Sequence, residues 1–332
     1  MDADRLELMQ MTTGYWVSKS IYCAARLKIA DQLAAGPRTT AQLAASARCH
    51  EESLHRLLRA LASLGIFRET KSRTFELTPK AQYLRSDNPE GVRDFAVMCN
   101  DKLFEGWCDI LHSVQTGEGA IQKRFGGDFF SAVLSKDPEA AATFDKAMEQ
   151  IHGPEIELML EFFDWKRFAH IVDVGGGSGQ TLFAILARHP KARGTLFDLP
   201  GVVERARKST HAAAGRCEFQ GGSFFETVPA GGDCYYMRHI VHDWNDADSL
   251  KILKACRAAM LPGASLLLVE KAIPEGNDPE FAKLLDINML AIGGKERTLA
   301  QYGDLFTKAG LKLHKHYPTP GPTDVIEARK AG

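Results

Sequence analysis

Through the first hundred residues the apolar positions recur every three or four, whereas from residue 171 onward they gather in short runs separated by amphipathic stretches. The first spacing is that of helices, and the second is that of buried strands alternating with helices. Residues 6–33 keep the helical spacing until Gly36-Pro37 stops it. Residues 39–45 open a short helix, and residues 51–64 run amphipathically through Leu54, Leu57, Leu58 and Leu61 to Gly65. Two helices so spaced, followed by strands at 66–69 and 74–77 around the polar tip Lys71-Ser72-Arg73, predict a helix-turn-helix with a wing. Residues 101–165 predict a helical connector with turns at Gly117-Glu118-Gly119 and Gly126-Gly127. Strands are expected at 171–174, 194–197, 217–220, 233–237, 265–270, 311–315 and 324–328. Such alternation builds an open, mostly parallel sheet with helices on both faces, so the class is α/β. The expected segments are 1–100, 101–165 and 166–332.

Composition narrows what these segments can do. With 332 residues, 45% of them apolar and 25% charged, the chain can bury a sizeable core, and its formal net charge of -1 gives no general attraction to nucleic acid or anionic lipid. The seven cysteines are scattered without a C-x-x-C, which indicates neither a disulfide framework nor a zinc site, and no metal is expected. No apolar run approaches the ~20 residues of a membrane span, and the mixed, acidic start is unlike an export signal; a cytoplasmic protein without a membrane partner is expected. Residues 1–100 hold 14 Lys+Arg against 11 Asp+Glu, and Glu51-Glu52 stand where the second helix of a DNA reader would meet phosphates. Arg56 and Arg59 are the basic candidates for the outer face of that helix. Met9, Met11, Tyr15, Trp16, Ile21 and Tyr22 offer more large apolar surface than a small domain needs, which favours dimerisation over DNA binding; a plain intradomain core is the alternative.

In an open parallel sheet, ligands lie outside the carboxyl ends of the strands. The first strand ends in Asp173 and breaks into Gly175-Gly176-Gly177-Ser178-Gly179 before a helix, a turn that lets a bulky ligand approach the backbone. A dinucleotide fingerprint needs another glycine or alanine where Gln180 stands, so a nucleotide-type cofactor is indicated without its kind being settled. Asp198, nineteen residues past Gly179, ends the second strand where an acid can accept both ribose hydroxyls. Leu199 follows it. The third strand leads to Ser223 and to Phe224, whose ring could lie on a purine face. The fourth leads to Arg238, His239 and His242, and the fifth to Glu270. His242, immediately before Asp243-Trp244 and a helix at 246–260, is the better candidate base; a structural histidine near a helix start is the alternative.

The glycine turn, Phe197-Asp198-Leu199-Pro200-Gly201-Val202, His242-Asp243-Trp244 and Gly293-Gly294-Lys295-Glu296-Arg297-Thr298 together resemble the S-adenosylmethionine-dependent small-molecule O-methyltransferases of the caffeic acid and hydroxyindole type. Bacterial phenazine and polyketide tailoring methyltransferases are similar. The resemblance spans nearly the whole chain and implies a Rossmann-like class I methyltransferase domain with a mostly parallel seven-stranded sheet, behind an N-terminal winged-helix-like dimerisation domain. It also implies S-adenosyl-L-methionine as cofactor, S-adenosyl-L-homocysteine as product, and a homodimer. Asp173, Gly175, Gly177, Asp198 and Leu199 would hold the methionine and ribose, Phe224 the adenine, and Arg238 a position usually filled by lysine. His242 would be the general base, Glu270 and Glu296 the acids that bracket it, and Asp243 the acid beside it. Ser223 departs from the pattern, since the family usually has an acid there to receive the adenine side.

For the acceptor, Phe129, Phe130, Phe144, Met148, Met289 and Ile292 suggest an apolar slot for a flat aromatic molecule, with His152 as a polar contact; each taken alone reads as core. The leading expectation is O-methylation of an aromatic secondary metabolite. An N-methyltransferase is a variant of it. A relative that binds the cofactor while supporting hydroxylation or decarboxylation is a second reading, opposed by His242, Glu270 and Glu296. A winged-helix regulator is a third and would need salt-dependent DNA binding.

Overall fold

Reading the chain from its amino end, the helical spacing of residues 6–33 resolves into three helices, Ala3–Thr12, Gly14–Arg26 and Ile29–Gln32, rather than one stretch. Thr12 and Thr13 turn their hydroxyls back onto the carbonyls of Leu8 and Met9, at 2.8 and 3.1 Å, just before Gly14. Lys28 takes the left-handed conformation at φ 51°, which breaks the second helix from the third. The computed structural model describes residues 2–208 and 214–331. It divides into two units, Met1–Glu105 with Phe130–His152, and Gly106–Phe129 with Gly153–Gly332.

In the first unit Thr39 caps the helix Thr40–Ala47 in a reciprocal box with Gln42, and the helix Glu51–Ser63 follows. Strands β1 (Arg38–Thr39), β2 (Phe67–Lys71) and β3 (Thr74–Leu77) form an antiparallel sheet in the order β1-β3-β2, which is the wing. Ile29, Leu43, Leu58, Leu61 and Phe75 make its core. Arg73 at the wing tip reaches Glu51 at 3.1 Å and Glu52 at 2.9 Å, so its charge is paired within the unit.

The second unit holds β4 (His170–Val174), β5 (Arg193–Asp198), β6 (Cys217–Gly221), β7 (Cys234–Arg238), β8 (Ser265–Glu270), β9 (Leu311–Tyr317) and β10 (Asp324–Lys330). They pair in the order β6-β5-β4-β7-β8-β10-β9; β4 to β8 are parallel, and β10 runs antiparallel to β8 and β9. Alternate side chains enter opposite cores, Val172, Tyr235, Leu266 and Leu268 on one face and Ile171, Tyr236, Leu267 and Val269 on the other. Burial on both faces explains why these strands read as unbroken apolar runs. Each fully buried aliphatic side chain adds about 1.5–3 kcal/mol, which holds the strand ends rigidly in place.

Glu327 on β10 is a buried exception. Its carboxylate accepts from Arg167 at 2.8 Å, Ser265 at 2.7 Å and Tyr317 at 2.9 Å. Burial opposes its charge, but these partners outweigh it and hold the carboxyl down at about 2. The stability it contributes is therefore present above the ordinary carboxyl range near 4.5 and is lost as pH falls toward 2. Glu327→Gln is expected to lower unfolding free energy by about 1–3 kcal/mol at neutral pH and to flatten the acid limb. Urea unfolding at several pH values measures both; an unchanged acid limb would refute the assignment.

Candidate active site

The sheet order switches direction at β4, which pairs with β5 on one side and β7 on the other. Loops leaving β4 and β7 therefore diverge and open a crevice at the carboxyl end of the sheet. The glycine loop forms one wall. Gly175, Gly177 and Gly179 have φ of 76°, 57° and 79°, a region that other residues reach only at a cost. A Cβ on Gly175 would fall 2.5 Å from Ile240 and one on Gly176 2.3 Å from Leu196, whereas one on Gly177 would meet nothing within 4 Å. The loop is thus packed against protein on one side and open at Gly177.

Asp198, at the end of β5, accepts the Gly177 N–H at 2.8 Å and the Leu199 N–H at 2.6 Å. Asp173 is buried at the end of β4 and accepts a short hydrogen bond from the Tyr236 hydroxyl. Burial pushes Asp173 up to about 7, although Tyr236 opposes the shift. The Phe224 ring lies beside Gly175, 3.7 Å from where a Cβ would stand, and packs edge-on against Phe225 and Trp244. Ser223 Oγ accepts the Phe225 N–H at 3.3 Å. Arg238, at the end of β7, donates to Thr181 Oγ1 at 2.7 Å and lies 3.3 Å from Glu155, whose carboxylate also meets His239 at 3.2 Å.

His242 sits in the 3-10 turn Val241–Asp243 and is buried. Its Nδ1 lies 2.6 Å from Glu296 Oε1, and its Nε2 lies 3.6 Å from Asp243 Oδ1. A carboxylate on Nδ1 places the neutral ring's proton there and its lone pair on Nε2. Burial disfavours the imidazolium, but Asp243, Glu296 and Glu270 outweigh it and push His242 up to about 10. Asp243 is itself pushed up to about 7 by burial. Glu270 does not bond the imidazole. Its Oε1 instead accepts the backbone N–H groups of Ile240, Val241 and His242 at 3.2, 2.7 and 3.2 Å, and its Oε2 accepts the Tyr302 hydroxyl at 2.5 Å. An acid ending β8 faces the start of the turn after β7, so it meets backbone donors before it can reach a ring.

The segment 293–298 wraps this turn, one residue at a time. Gly293 ends the helix Phe281–Ile292 at φ 93°. A Cβ on Gly294 would fall 2.2 Å from the His242 carbonyl, which the Lys295 N–H approaches to 2.7 Å. Glu296 then meets the ring, with its own N–H held by Asp286 at 2.9 Å. Arg297 is fully buried and donates to the carbonyls of Val241 and Trp244, at 3.1 and 2.9 Å, and to Asp246 at 2.8 Å. Thr298 caps the helix Leu299–Lys308.

The expected acceptor-pocket residues divide between the two units. Phe130, Phe144, Met148 and His152 belong to the first, where Phe130 and Phe144 meet edge to face at 6.0 Å. Phe129, Met289 and Ile292 belong to the second and are buried there.

Residues 107–312 match the model of the O-methyltransferase domain family, and residues 9–87 match that of the O-methyltransferase dimerisation domain. The chain belongs to the O-methyltransferase family. This methyltransferase is 42% identical to the phenazine O-methyltransferase PhzM of Lysobacter antibioticus, over 97% of its own chain and 95% of the relative's. It is 35% identical to the 8-amino-8-demethylriboflavin N,N-dimethyltransferase of Streptomyces davaonensis, over 97% and 94%. Its fold superposes with a TM-score of 0.85 on the O-methyltransferase NcsB1 from neocarzinostatin biosynthesis, solved with S-adenosylmethionine and 2-hydroxy-5-methyl naphthoic acid, at 34% identity over 95% and 96% of the two chains. The mostly parallel seven-stranded sheet is accordingly the methyltransferase fold.

Several groups that hold these side chains in place are not legible in the sequence. Glu155 gave no signal, because a glutamate on an amphipathic helix reads as solvated surface. Asp286 and Tyr302 were equally silent, since their partners lie 10 and 32 residues away. Arg297 was visible as part of a motif, but its role as the buried tie of the 241–246 loop needed coordinates.

Proposed function

We propose that this methyltransferase transfers a methyl group from S-adenosyl-L-methionine to a hydroxyl on an aromatic small molecule of secondary metabolism, with His242 as general base. The observation that carries the reading is the 2.6 Å contact between Glu296 and His242 Nδ1, which in the neutral ring leaves Nε2 to receive a proton. The cofactor fits the crevice by three features: the loop is open at Gly177, Asp198 ends β5 beside it, and Phe224 lies along its edge. Asp173, Gly175, Gly177, Asp198, Leu199, Ser223, Phe224 and Arg238 are proposed to hold it. When bound, S-adenosylmethionine supplies an activated methyl on sulfur, open to in-line displacement, so no metal is called for.

His242 Nε2 takes the acceptor's proton as oxygen bonds to the methyl carbon and the carbon–sulfur bond breaks. A phenol near pKa ~10 is a poor nucleophile at neutral pH, and a base raised to a similar value matches it. Glu296 orients the ring and balances the imidazolium, Asp243 adds a second negative group, and Glu270 holds the turn through its backbone. Phe129, Met289 and Ile292, buried in the second unit, are proposed to line the acceptor slot. The dimerisation segment exposes Met9, Met11, Tyr15 and Trp16, and we propose that they pair two copies in a homodimer. No helix among the described residues is long and apolar enough to cross a membrane. A chain with seven scattered cysteines and no C-x-x-C suits the reducing cytoplasm that we propose as its compartment.

Incubation with S-adenosylmethionine and matched panels of phenols and aryl amines, followed by mass spectrometry, tests the reading. A methyl-sized gain confined to amines would replace it with N-methylation, the chemistry in the name of the riboflavin relative. The adenine end has its own test. A bond to a neutral serine is worth about 0.5–1.5 kcal/mol against about 1.5–3 for a carboxylate. Ser223→Asp is therefore expected to tighten S-adenosylmethionine binding by about fivefold in calorimetry, and unchanged affinity would remove Ser223 from the cofactor site.

A further inference from the structure

The geometry points to Gln122, a residue of the connector, as the positioning residue that sets Glu296 against His242. The inference rests on the base reading proposed above. Gln122 lies on the helix Ala120–Phe125, and its Nε2 donates to the carbonyl of Ile292 at 2.8 Å, at the last turn before the segment 293–298. Two glycines make room for it. A Cβ on Gly293 would fall 2.1 Å from Gln122 Nε2, and a Cβ on Gly119 would fall 1.7 Å from its Oε1 and 2.9 Å from the Gly293 Cα.

The backbone of residue 119, the Gln122 amide and the backbone of residue 293 are therefore stacked in contact. The next residue, Gly294, is pressed with equal closeness on the His242 carbonyl. Displacement of one layer moves the next, because packed protein has no slack to absorb it. Trp107 adds a second tie from the connector, its Nε1 donating to Asn288 at 2.9 Å on the helix that leads into Gly293.

The amide's orientation follows from its partner, since only the NH₂ end can face a carbonyl. Its Oε1 is left buried with no hydrogen-bond partner among the described residues. An orphaned acceptor of this kind is unfavourable, so it is the donor end that holds the residue in place. Gly119 has φ -63°, a value any residue adopts, so its missing side chain is explained by the contact and not by the turn.

Gln122→Leu keeps the bulk and removes the donor. It is expected to lower kcat about ten- to a hundredfold, the range that displacement of a catalytic group by up to an ångström produces. KM for S-adenosylmethionine should stay within about twofold, because the cofactor crevice lies at other loops. Gly119→Ala should reproduce the loss from the opposite side, and it serves if Gln122→Leu does not fold. Combined with Glu296→Gln, Gln122→Leu should cost nothing further, because the group it positions is already disabled.

The assay uses S-adenosylmethionine with the most rapidly methylated phenol of the panel. Hydrogen exchange at the amides of Gly294 and Lys295, which bond Met289 and His242, should quicken in Gln122→Leu whether or not the dyad is the base. Additive losses in the double variant, or wild-type exchange and kcat in Gln122→Leu, overturn the positioning role. Wild-type kcat in Glu296→Gln above the alkaline limb of both pH profiles overturns the base reading instead, and the exchange result then decides Gln122 alone.

Discussion

His242→Ala is expected to lower kcat for a phenolic acceptor by ~10²–10⁴-fold, the usual contribution of a positioned base, while S-adenosylhomocysteine binding stays within about twofold. Cofactor affinity should hold because the imidazole meets Glu296 and Asp243, and neither belongs to the glycine loop. Rapid-quench kinetics with calorimetry in parallel separates the two effects, and full activity in the variant would eliminate the base. An aryl amine, which carries its lone pair without prior deprotonation, should lose far less.

The same histidine determines the pH dependence. Burial alone would lower its pKa, but Asp243, Glu296 and Glu270 raise it to about 10, so the resting ring is protonated at neutral pH. Since only the neutral ring accepts a proton, kcat/KM is expected to climb between pH 7 and about 10, and Glu296→Gln should move that limb to lower pH. For stability, a raised histidine contributes fully below its ordinary value near 6.5, and that contribution is lost as pH rises through about 10. Unfolding free energy measured over that interval should fall, unlike the acid-side loss expected from Glu327.

Arg297→Met is expected to destabilise the fold by about 3–5 kcal/mol, the cost of breaking a buried charged group away from its partners. The side chain is fully buried and serves two carbonyls of the 241–246 loop together with Asp246 and Ser249. Methionine fills the volume but removes the guanidinium donors, which leaves the two carbonyls to the longer bonds from Ser249 Oγ at 3.2 and 3.1 Å. Arg297→Lys should recover only part of the loss, because one ammonium cannot reproduce a planar fork of donors. Urea unfolding gives both numbers, and a midpoint within experimental scatter of wild type for Arg297→Met would dismiss the tie.

The strands and the order of the motifs were legible because each depends on neighbours in the chain. Runs such as Ile171-Val172 and Leu266-Leu267-Leu268 enter two cores at once, so they announce buried strands without coordinates. The glycine turn is equally local, since positive φ at Gly175, Gly177 and Gly179 is a property of the backbone there. Local pattern reached its limit at residues 6–33, where helical spacing persists across Thr13 and Lys28 although the backbone does not. Side-chain chemistry at the strand ends was readable as a set of residues and not as a set of bonds. Glu270 and Glu296 look alike in sequence, yet one holds three backbone amides and the other holds the imidazole. That difference depends on where two loops cross, which no spacing encodes. The sequence by itself determined the seven strands of the larger sheet, the glycine turn after the first of them and the place of His242 after the fourth. The tertiary structure alone decided which carboxylate orients that histidine, that Arg297 ties its loop and that Gln122 stands behind its partner, because each depends on contacts between residues 48 to 170 positions apart.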